Sequence, residues 1–372
     1  MDTASFYSSD YETARSRFRE AAADAGLALM SYPIDGAGPD GIELTIDVAV
    51  RESAGSDQAL VISSGVHGVE GPVGSAVQLA LLRDWVGPKA EPPSVRVVLL
   101  HGLNPYGFAW RRRFNEQNVD LNRNLLLEGE SFSGSPPGYA ELDGLLNPKR
   151  SPRRWEPVTL KFFAAIFRHG IPALKQAVAS GQYDFPRGIF YGGDGPSAAN
   201  RILSAEFDGW LGDSRQVVHL DFHTGLGAWA KCRLLIDYPL SESKREQLGR
   251  WFGPDSFEAT DPNKTAFAVR GSFGRWCVAQ NRGRDYLYAA AEFGTYKPTR
   301  ILAGLREENQ AHHWGRATDT ATKRAKQRLA ELFCPGSESW RSEVLDHGKR
   351  LVKLAINGLV GGSNPMAAMN DA

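Results

Sequence analysis

Residues 59–71 read ALVISSGVHGVEG, an apolar strand pattern that runs directly into a glycine-rich turn. The first four residues are apolar and partly β-branched, which is typical of a strand buried on both faces. Glycines surround His67 and Glu70, so the backbone can turn tightly at the strand end and come close to a ligand. A histidine and a glutamate three residues apart can also face one point from a helical turn. The stretch therefore predicts a buried strand that ends at a candidate site.

Strand and helix patterns alternate on both sides of this stretch. A helix pattern at 74–85 and an apolar strand pattern at 95–100 complete a β-α-β unit. Residues 10–25 predict an amphipathic helix ended by Gly26, and residues 43–51 alternate like a strand with one solvent-exposed face. The other predicted elements are strands at 217–222, 233–236 and 286–291, and helices at 157–180, 198–211, 241–252 and 299–333. This alternation predicts a mixed sheet between two layers of helices.

The segment 128–157 is rich in Gly, Ser, Pro and charged residues, and we interpret it as a loop insertion over one edge of the sheet, near the candidate site. Blocks of candidate site residues lie on both sides of it, so a domain boundary there would split the site. We therefore predict one catalytic domain over residues 1–372. Residues 361–372 are expected to form a flexible tail.

The composition excludes several functional classes. The 43 basic residues balance 43 acidic ones, so no excess of charge favours binding to nucleic acid or to a membrane surface. No run reaches the roughly 20 apolar residues that span a bilayer, and the N-terminus lacks the pattern of an export signal. The three cysteines are widely spaced and include no CxxC pair, which argues against a disulfide framework and a thiolate metal site. We predict a soluble, cytoplasmic protein of unspecified oligomeric state.

Polar blocks also follow the later predicted strands. They are NVDLNRN at 118–124, DFHTG at 221–225 and EFGT at 292–295. Together with His67 and Glu70, His223 completes a set of two imidazoles and one carboxylate, which leaves zinc an open coordination position. His219, four residues earlier, and His101, at the end of another strand, are the alternatives for the third ligand.

Two aspartates are candidates for orienting the ligand histidines. Asp120 could accept a hydrogen bond from the free ring nitrogen of His67, and Asp221 could do the same for another histidine. The alternatives are a turn aspartate and a buried polar group with an unrelated partner.

The chain resembles the M14 zinc carboxypeptidase superfamily, specifically its DUF2817 branch. The resemblance rests on blocks that occur in the family order, at 11–18, 63–71, 104–108, 118–124, 221–225 and 292–296. It implies a three-layer α/β/α sandwich around a mixed, roughly eight-stranded sheet. It also implies one zinc ion per chain, held by His67, Glu70 and His223.

The resemblance further implies roles for residues outside the metal site. Glu292 matches the general base. Asn122 and Arg123 match the pair that grips the terminal carboxylate of a substrate, a task suited to the planar fork of an arginine.

An arginine just upstream is implied to polarise the scissile carbonyl, and three consecutive arginines compete for this role. We choose Arg113, with Arg112 as second choice and Arg111 as the remaining one. The alternative is a solvated basic edge. The catalytic tyrosine of classical members has no clear counterpart, because residues 265–281 contain no tyrosine.

The implied activity is zinc-dependent hydrolysis of an amide or peptide bond next to a free carboxylate, in a peptide or small molecule. The main alternative is an N-acyl amino acid deacylase of the aspartoacylase and succinylglutamate desuccinylase type, since that branch shares the HxxE block, a DLNR-like block and a late histidine. A catalytically silent binding protein of the same fold is a third possibility. It is disfavoured because every ligand and the base are present.

Overall fold

A mixed sheet forms the centre of the protein. The computed structural model describes residues 3–86, 90, 92–152, 180–259 and 269–361. Its strands are β1 (Ala28–Ala37), β2 (Glu43–Arg51), β3 (Gln58–Ser64), β4 (Arg96–His101), β5 (Gln216–Trp229), β6 (Cys232–Ile236), β7 (Phe257–Ala259) and β8 (Asp285–Gly294). They are ordered β1-β2-β4-β3-β5-β8-β6-β7. The central strands β4, β3, β5 and β8 run parallel, whereas β1-β2, β2-β4 and β8-β6 pair antiparallel. The predicted mixed, eight-stranded sheet is confirmed.

Helices cover both faces of the sheet. Those in the described residues are α1 (Tyr11–Asp24), α2 (Gly71–Asp84), α3 (Pro105–Ala109), α4 (Tyr139–Leu146), α5 (Ala198–Leu211), α6 (Glu242–Phe252), α7 (Phe273–Gln280), α8 (Pro298–Trp314), α9 (Thr320–Phe333) and α10 (Glu338–Gly361). Phe222 of β5 lies against Gly74 of α2 and Gly348 of α10. His219 of the same strand lies against the rings of Phe207 in α5 and Phe273 in α7. An odd-numbered and an even-numbered position of one strand point to opposite faces of the sheet, so His219 and Phe222 contact different helical layers. This arrangement is the predicted α/β/α sandwich.

Strand β2 differs from its prediction because both of its faces are buried. Helix α1 covers the face that was expected to meet solvent. Asp47 on that face is fully buried, and its carboxylate is paired with Arg15 at 3.2 Å and with Arg19 at 3.1 Å. A polar residue in an alternating pattern is therefore satisfied here by helix arginines instead of water.

The helix predicted at 299–333 is two helices, α8 and α9. The first ends at Gly315, whose extended backbone (φ −103°, ψ 171°) breaks the helical path, and the second begins after Asp319. The two helices pack against each other, with Leu332 over Gly304. The apolar spacing in the sequence continues across the break because each helix buries an apolar face in the contact with the other. Strands β1 and β7 and helices α3, α4, α7 and α10 were not predicted.

The segment 128–157 contains helix α4, so it is not loop throughout. Tyr139 is fully buried, and its hydroxyl donates to the carbonyl oxygen of Ile189 at 2.8 Å. Leu142 and Leu146 join an apolar cluster that also includes Ile301 of α8. Residues 153–157, the predicted helix 157–180 except for residue 180, and the tail 362–372 lie outside the described residues.

Candidate metal centre and active site

The candidate site lies where β3 and β5 diverge at their carboxyl ends. The chain leaves β3 through α2 to β4 on one side, whereas from β5 it continues to β6 and β8 on the other. Ser64 and Phe222 are paired at the end of the β3-β5 ladder. Open α/β sheets bind ligands in the crevice at such a switch of strand order. Both predicted histidine blocks open into this crevice.

Glycines permit the turn that carries the first two candidate ligands. His67 precedes a single 3₁₀ turn, Gly68–Glu70, which leads directly into α2. Gly65 has a φ of 73°, and a Cβ on Gly68 would collide with the backbone of Gly107. The turn is therefore packed so tightly against α3 that a side chain cannot be accommodated.

Three predicted ligands converge in the crevice. Nδ1 of His67 lies 2.9 Å from Oε1 of Glu70, and Nδ1 of His223 lies 3.0 Å from Oε2 of the same carboxylate. One donor atom from each residue lies within 4.8 Å of the others, and all three residues are buried. His67, Glu70 and His223 thus present two nitrogens and two oxygens to one point.

This donor set fits a divalent zinc ion. Nδ1 of His67 is buried and makes no hydrogen bond with any described residue, although it lies close to Glu70. A buried polar nitrogen without a partner costs free energy unless a ligand engages it. Two imidazoles and a carboxylate are a zinc ligand set that leaves one position open.

The two alternative histidines face other partners. Nε2 of His101 lies 2.9 Å from Oγ of Ser75. His219 has Oγ of Ser63 at 2.7 Å from Nε2 and the hydroxyl of Tyr286 at 2.8 Å from Nδ1. Burial lowers the pKa of His219 to about 4, with the charge of Asp221 opposing the shift. Both histidines are neutral, buried hydrogen-bonding groups outside the cluster.

Asp120 and Arg113 surround the outer nitrogen of His67. Nε2 of His67 lies 3.3 Å from Oδ1 of Asp120 and 2.6 Å from Nη2 of Arg113. Nε of Arg113 donates to the other oxygen of Asp120 at 2.9 Å. Burial alone would raise the pKa of Asp120, but the charges of Arg113 and His67 hold it well below its usual range. Asp120 is therefore an ionised carboxylate placed to orient the His67 ring.

Asp221 has the same relation to His223 and belongs to a wider network. Oδ2 of Asp221 lies 2.6 Å from Nε2 of His223 and accepts a hydrogen bond from the Tyr288 hydroxyl at 2.8 Å. Oγ of Ser63 donates to Oδ1 at 2.6 Å. Burial raises the pKa of Asp221, but the charge of His223 and the hydrogen bonds with His223 and Ser63 lower it to about 2. Sequence reasoning missed Ser63 and Tyr288, because their nearness depends on strand register, in which Ser63 pairs with Asp221.

Glu292 lies beside the candidate metal-ligand cluster, on the neighbouring strand. It pairs with His223 in the β5-β8 register, so both side chains leave the same face of the sheet. Its Oε1 accepts a hydrogen bond from the backbone N–H of Leu226 at 2.7 Å. Burial and the negative charge of Glu70 raise the pKa of Glu292 to about 7, with His223 opposing the shift. A carboxyl group with this pKa can gain and lose a proton near neutral pH.

Only one of the two favoured arginines lines the cavity. Arg113 does so, and its guanidinium lies 5.6 Å from the centre of the Phe190 ring. Arg112 is fully buried elsewhere. Its Nη2 donates to Asn118 at 2.8 Å and its Nε lies 3.3 Å from Glu308. Arg112 as the second choice for this contact with the substrate is therefore wrong, because its charge is committed to a buried ion pair.

Asn122 and Arg123 reach the same cavity from the turn after Asp120. Oδ1 of Asn122 accepts a hydrogen bond from the backbone N–H of Phe273 at 2.9 Å, so its side-chain NH₂ group remains to donate. Arg123 is 7% exposed, and burial lowers its pKa while Asp120 opposes the shift. An amide and a guanidinium are thus held side by side at the cavity wall.

A family model described as "Protein of unknown function (DUF2817)" matches residues 7–347. The chain belongs to the DUF2817 family. The predicted family membership is confirmed. No curated protein matches the chain.

Solved structures similar to this DUF2817 protein include three whose names state an activity or a role. Carboxypeptidase A from Helicoverpa armigera is 12% identical, with 86% of this chain and 73% of that chain covered and a TM-score of 0.46. Thrombin activatable fibrinolysis inhibitor is 11% identical, with 93% and 75% covered and a TM-score of 0.44. A succinylglutamate desuccinylase/aspartoacylase from Rhodobacter sphaeroides is 15% identical, with 82% and 63% covered and a TM-score of 0.38.

One cavity of about 660 Å³ connects the candidate groups of this DUF2817 protein. It is lined by the three converging ligands, by Glu292 and Arg113, and by Asn122 and Arg123. Sequence reasoning missed another ionisable group on its wall, Asp237, whose pKa is raised by burial. Most of the remaining lining is aliphatic or aromatic. The cavity therefore joins a candidate metal-ligand cluster, two ionisable carboxyl groups and two cationic side chains within a largely apolar wall.

No membrane-crossing helix is found in this DUF2817 protein, since every helix in the described part of the chain is too short or too polar to span a bilayer.

Proposed function

We propose that this protein is a zinc-dependent hydrolase that cleaves an amide or peptide bond whose leaving side bears a free carboxylate. The observation that carries the proposal is the arrangement within one cavity. His67, Glu70 and His223 converge beside Glu292, while Arg113 and Arg123 line the same space. Each part of an amide hydrolysis has a matching group: a metal site, a proton acceptor, an oxyanion donor and a carboxylate anchor.

One zinc ion per chain would be held by Nδ1 of His67, Nδ1 of His223 and the carboxylate of Glu70. When bound, zinc supplies a Lewis acid that polarises a carbonyl and lowers the pKa of a coordinated water to near 7. The protein contributes the orientation of the ligand rings, because Asp120 and Asp221 hold their outer nitrogens.

Glu292 is proposed to act as general base and then as general acid. Its Oε1 is held by the N–H of Leu226, so we assign Oε2 as the oxygen that receives the proton of the attacking water. The side chain is 8% exposed, and this burial keeps the affinity of the carboxylate for a proton high. The protonated group would then deliver that proton to the leaving nitrogen.

Arg113 is proposed to stabilise negative charge on the carbonyl oxygen in the transition state. Asp120 fixes its Nε at 2.9 Å, and the ring of Phe190 lies against its guanidinium. A donor held in this way needs little reorganisation when charge develops. Its side chain is 12% exposed, so the charge faces a poorly solvated cavity in which it acts strongly.

Asn122 and Arg123 are proposed to bind the carboxylate of the leaving residue. The hydrogen bond from Phe273 to Oδ1 fixes the orientation of the Asn122 amide, so its NH₂ group is held in one direction as a donor. Arg123 adds a positive charge from a buried position, where an ion pair with a carboxylate is weakly screened. Substrates with a free carboxylate would therefore bind better than their amides or esters.

The test measures zinc content and hydrolysis together. Purified protein is reconstituted with zinc, analysed for bound metal, and incubated with a mixed panel of dipeptides and N-acyl amino acids. We expect about one zinc ion per chain and release of free amino acid. The half of the panel that is cleaved decides between a carboxypeptidase and the alternative N-acyl amino acid deacylase.

Three variants make the result specific. His67→Ala and His223→Ala should lose both zinc and activity, whereas His347→Ala in α10 removes a histidine outside the cluster and should lose neither. Failure of the folded wild-type protein to bind zinc would refute the metal site. Stoichiometric zinc without hydrolysis of any panel member would favour the catalytically silent binding protein.

A further inference from the structure

The cavity has two chemically different sides, which meet at Glu292. One side lies at the beginning of α7, where Phe273 contacts Asn122, and where Gly274 lies against Asp237 and Tyr288. With Arg123, which follows Asn122 in the chain, this side contains charged and hydrogen-bonding groups. We call it the carboxylate side.

The other side is formed by α8, the end of α9 and the residue after Gly225. Its side chains are Leu226, Pro298, Ile301, Leu302, Leu305 and Phe333, and we call them the apolar lobe. Thr299 adds a hydroxyl, and these seven residues, all described, include no ionisable side chain.

The apolar lobe begins at the reacting centre. A Cβ placed on Gly225 would lie 3.1 Å from the Phe333 ring and 3.7 Å from Oε1 of Glu292, so both side chains are neighbours of the same backbone. The next residue, Leu226, donates its N–H to Glu292 and is 51% exposed at the cavity mouth. A group attached to a carbonyl beside Glu292 can therefore enter the lobe directly.

The charged residues of α8 face away from the lobe. Arg306 donates through Nε to the carbonyl oxygen of Leu145 at 2.6 Å. Glu308 is fully buried and paired with Lys326 at 2.8 Å. The guanidinium of Arg300 lies over the Tyr296 ring. A charged substrate group in the lobe would lose water without gaining a partner, which is costly.

We infer that the apolar lobe binds the group on the carbonyl side of the scissile bond, and that the preferred substrates carry a large apolar group there: a long alkyl chain or an aromatic ring. The inference rests on the proposed function, in which the carboxylate side binds the leaving residue and the scissile bond lies at Glu292. The opposite end of the substrate must then lie in the lobe. Acetyl, succinyl and aspartyl groups, which are small or charged, are predicted to be poor.

The test is a series of N-acyl derivatives of one amino acid that the protein releases. Acetyl, butyryl, hexanoyl, octanoyl and decanoyl forms are compared with succinyl and adipoyl forms, and a parallel dipeptide series runs from Gly to Phe with Asp as the charged member. We expect kcat/KM to rise about fourfold per added methylene until the lobe is full. The dicarboxylic acyl groups should fall far below monocarboxylic ones of equal length.

Variants in the lobe test its assignment. Leu302→Lys, at a half-buried position, should reduce kcat/KM for the octanoyl form by about tenfold or more and raise the ratio of succinyl to octanoyl hydrolysis. Leu226→Lys provides the same charge at an exposed position, where folding is not at risk. Val360→Lys adds an equal charge to an exposed apolar residue outside the cavity and should leave the series unchanged.

The outcomes distinguish a failure of the lobe assignment from a failure of the proposed hydrolase function. Zinc-loaded protein that hydrolyses acetyl or succinyl forms as fast as decanoyl forms would overturn the lobe assignment and leave the hydrolase standing. An unchanged series in both lysine variants would also overturn it. Zinc-loaded protein that hydrolyses no member of either series would overturn the proposed function, and the inference with it.

Discussion

Replacing Asp221 by asparagine should weaken zinc binding about 10- to 100-fold without unfolding the protein. Asp221 lies 2.6 Å from Nε2 of His223, and its carboxylate keeps the proton on that nitrogen while Nδ1 faces the metal position. A hydrogen bond to a charged group contributes about 1.5–3 kcal/mol, which corresponds to roughly 10- to 150-fold in affinity. Asparagine retains the shape and one acceptor but removes the charge, so the expected loss lies within this range.

The assay is a competitive titration of zinc between the protein and a chromophoric chelator at constant pH. Tyr288→Phe gives a graded comparison, since it removes one donor to Asp221 and leaves the carboxylate. A loss of about 2- to 12-fold is expected for it, from a neutral hydrogen bond of about 0.5–1.5 kcal/mol. Asp255→Asn, at an exposed site, controls for the change of charge.

Equal zinc affinity in wild-type protein and Asp221→Asn would refute the reasoning, because the 2.6 Å contact would then contribute nothing to the metal site. A larger loss in Tyr288→Phe than in Asp221→Asn would refute it as well. Urea unfolding of each apoprotein is measured in parallel, so that a loss of structure is distinguished from a loss of ligand orientation.

Three further changes have distinct expected results. Glu292→Gln should lower kcat by about 10²- to 10⁴-fold and retain zinc, because only the proton acceptor is lost. Steady-state kinetics and metal analysis of the same preparation check this. A kcat near the wild-type value would exclude Glu292 as the base. Arg123→Lys should reduce the preference for a free carboxylate over the corresponding amide, since lysine lacks the planar fork; an unchanged ratio of kcat/KM values would place the carboxylate elsewhere. Gly68→Ala should destabilise the protein by about 1–3 kcal/mol or more, because its Cβ would collide with Gly107. Gly283→Ala is the control, since its Cβ would meet no atom within 4 Å. Equal urea midpoints for the two variants would contradict this.

Much of the fold could be predicted because it depends on local patterns. Strand β2 and helix α5 begin and end at the predicted residues, since periods of 2 and 3.6 are properties of short stretches. The same reasoning failed at Gly315, where apolar spacing continued across a break between two helices. It also assigned a solvent-exposed face to β2, because a sequence does not show that α1 supplies the arginines that pair with Asp47.

The candidate ligands His67, Glu70 and His223 could be predicted from sequence alone, since their residue types and their places at strand ends determine the chemistry they can perform. Only the tertiary structure decided that Arg113 faces the cavity while Arg112 is buried against Glu308. The run begins at Arg111 with a φ of 53°, so its side chains do not follow the alternation of an extended chain. Side-chain direction in a loop depends on long-range packing, which no local pattern records. Strand register and helix packing likewise decided the network around Asp221 and the composition of the apolar lobe.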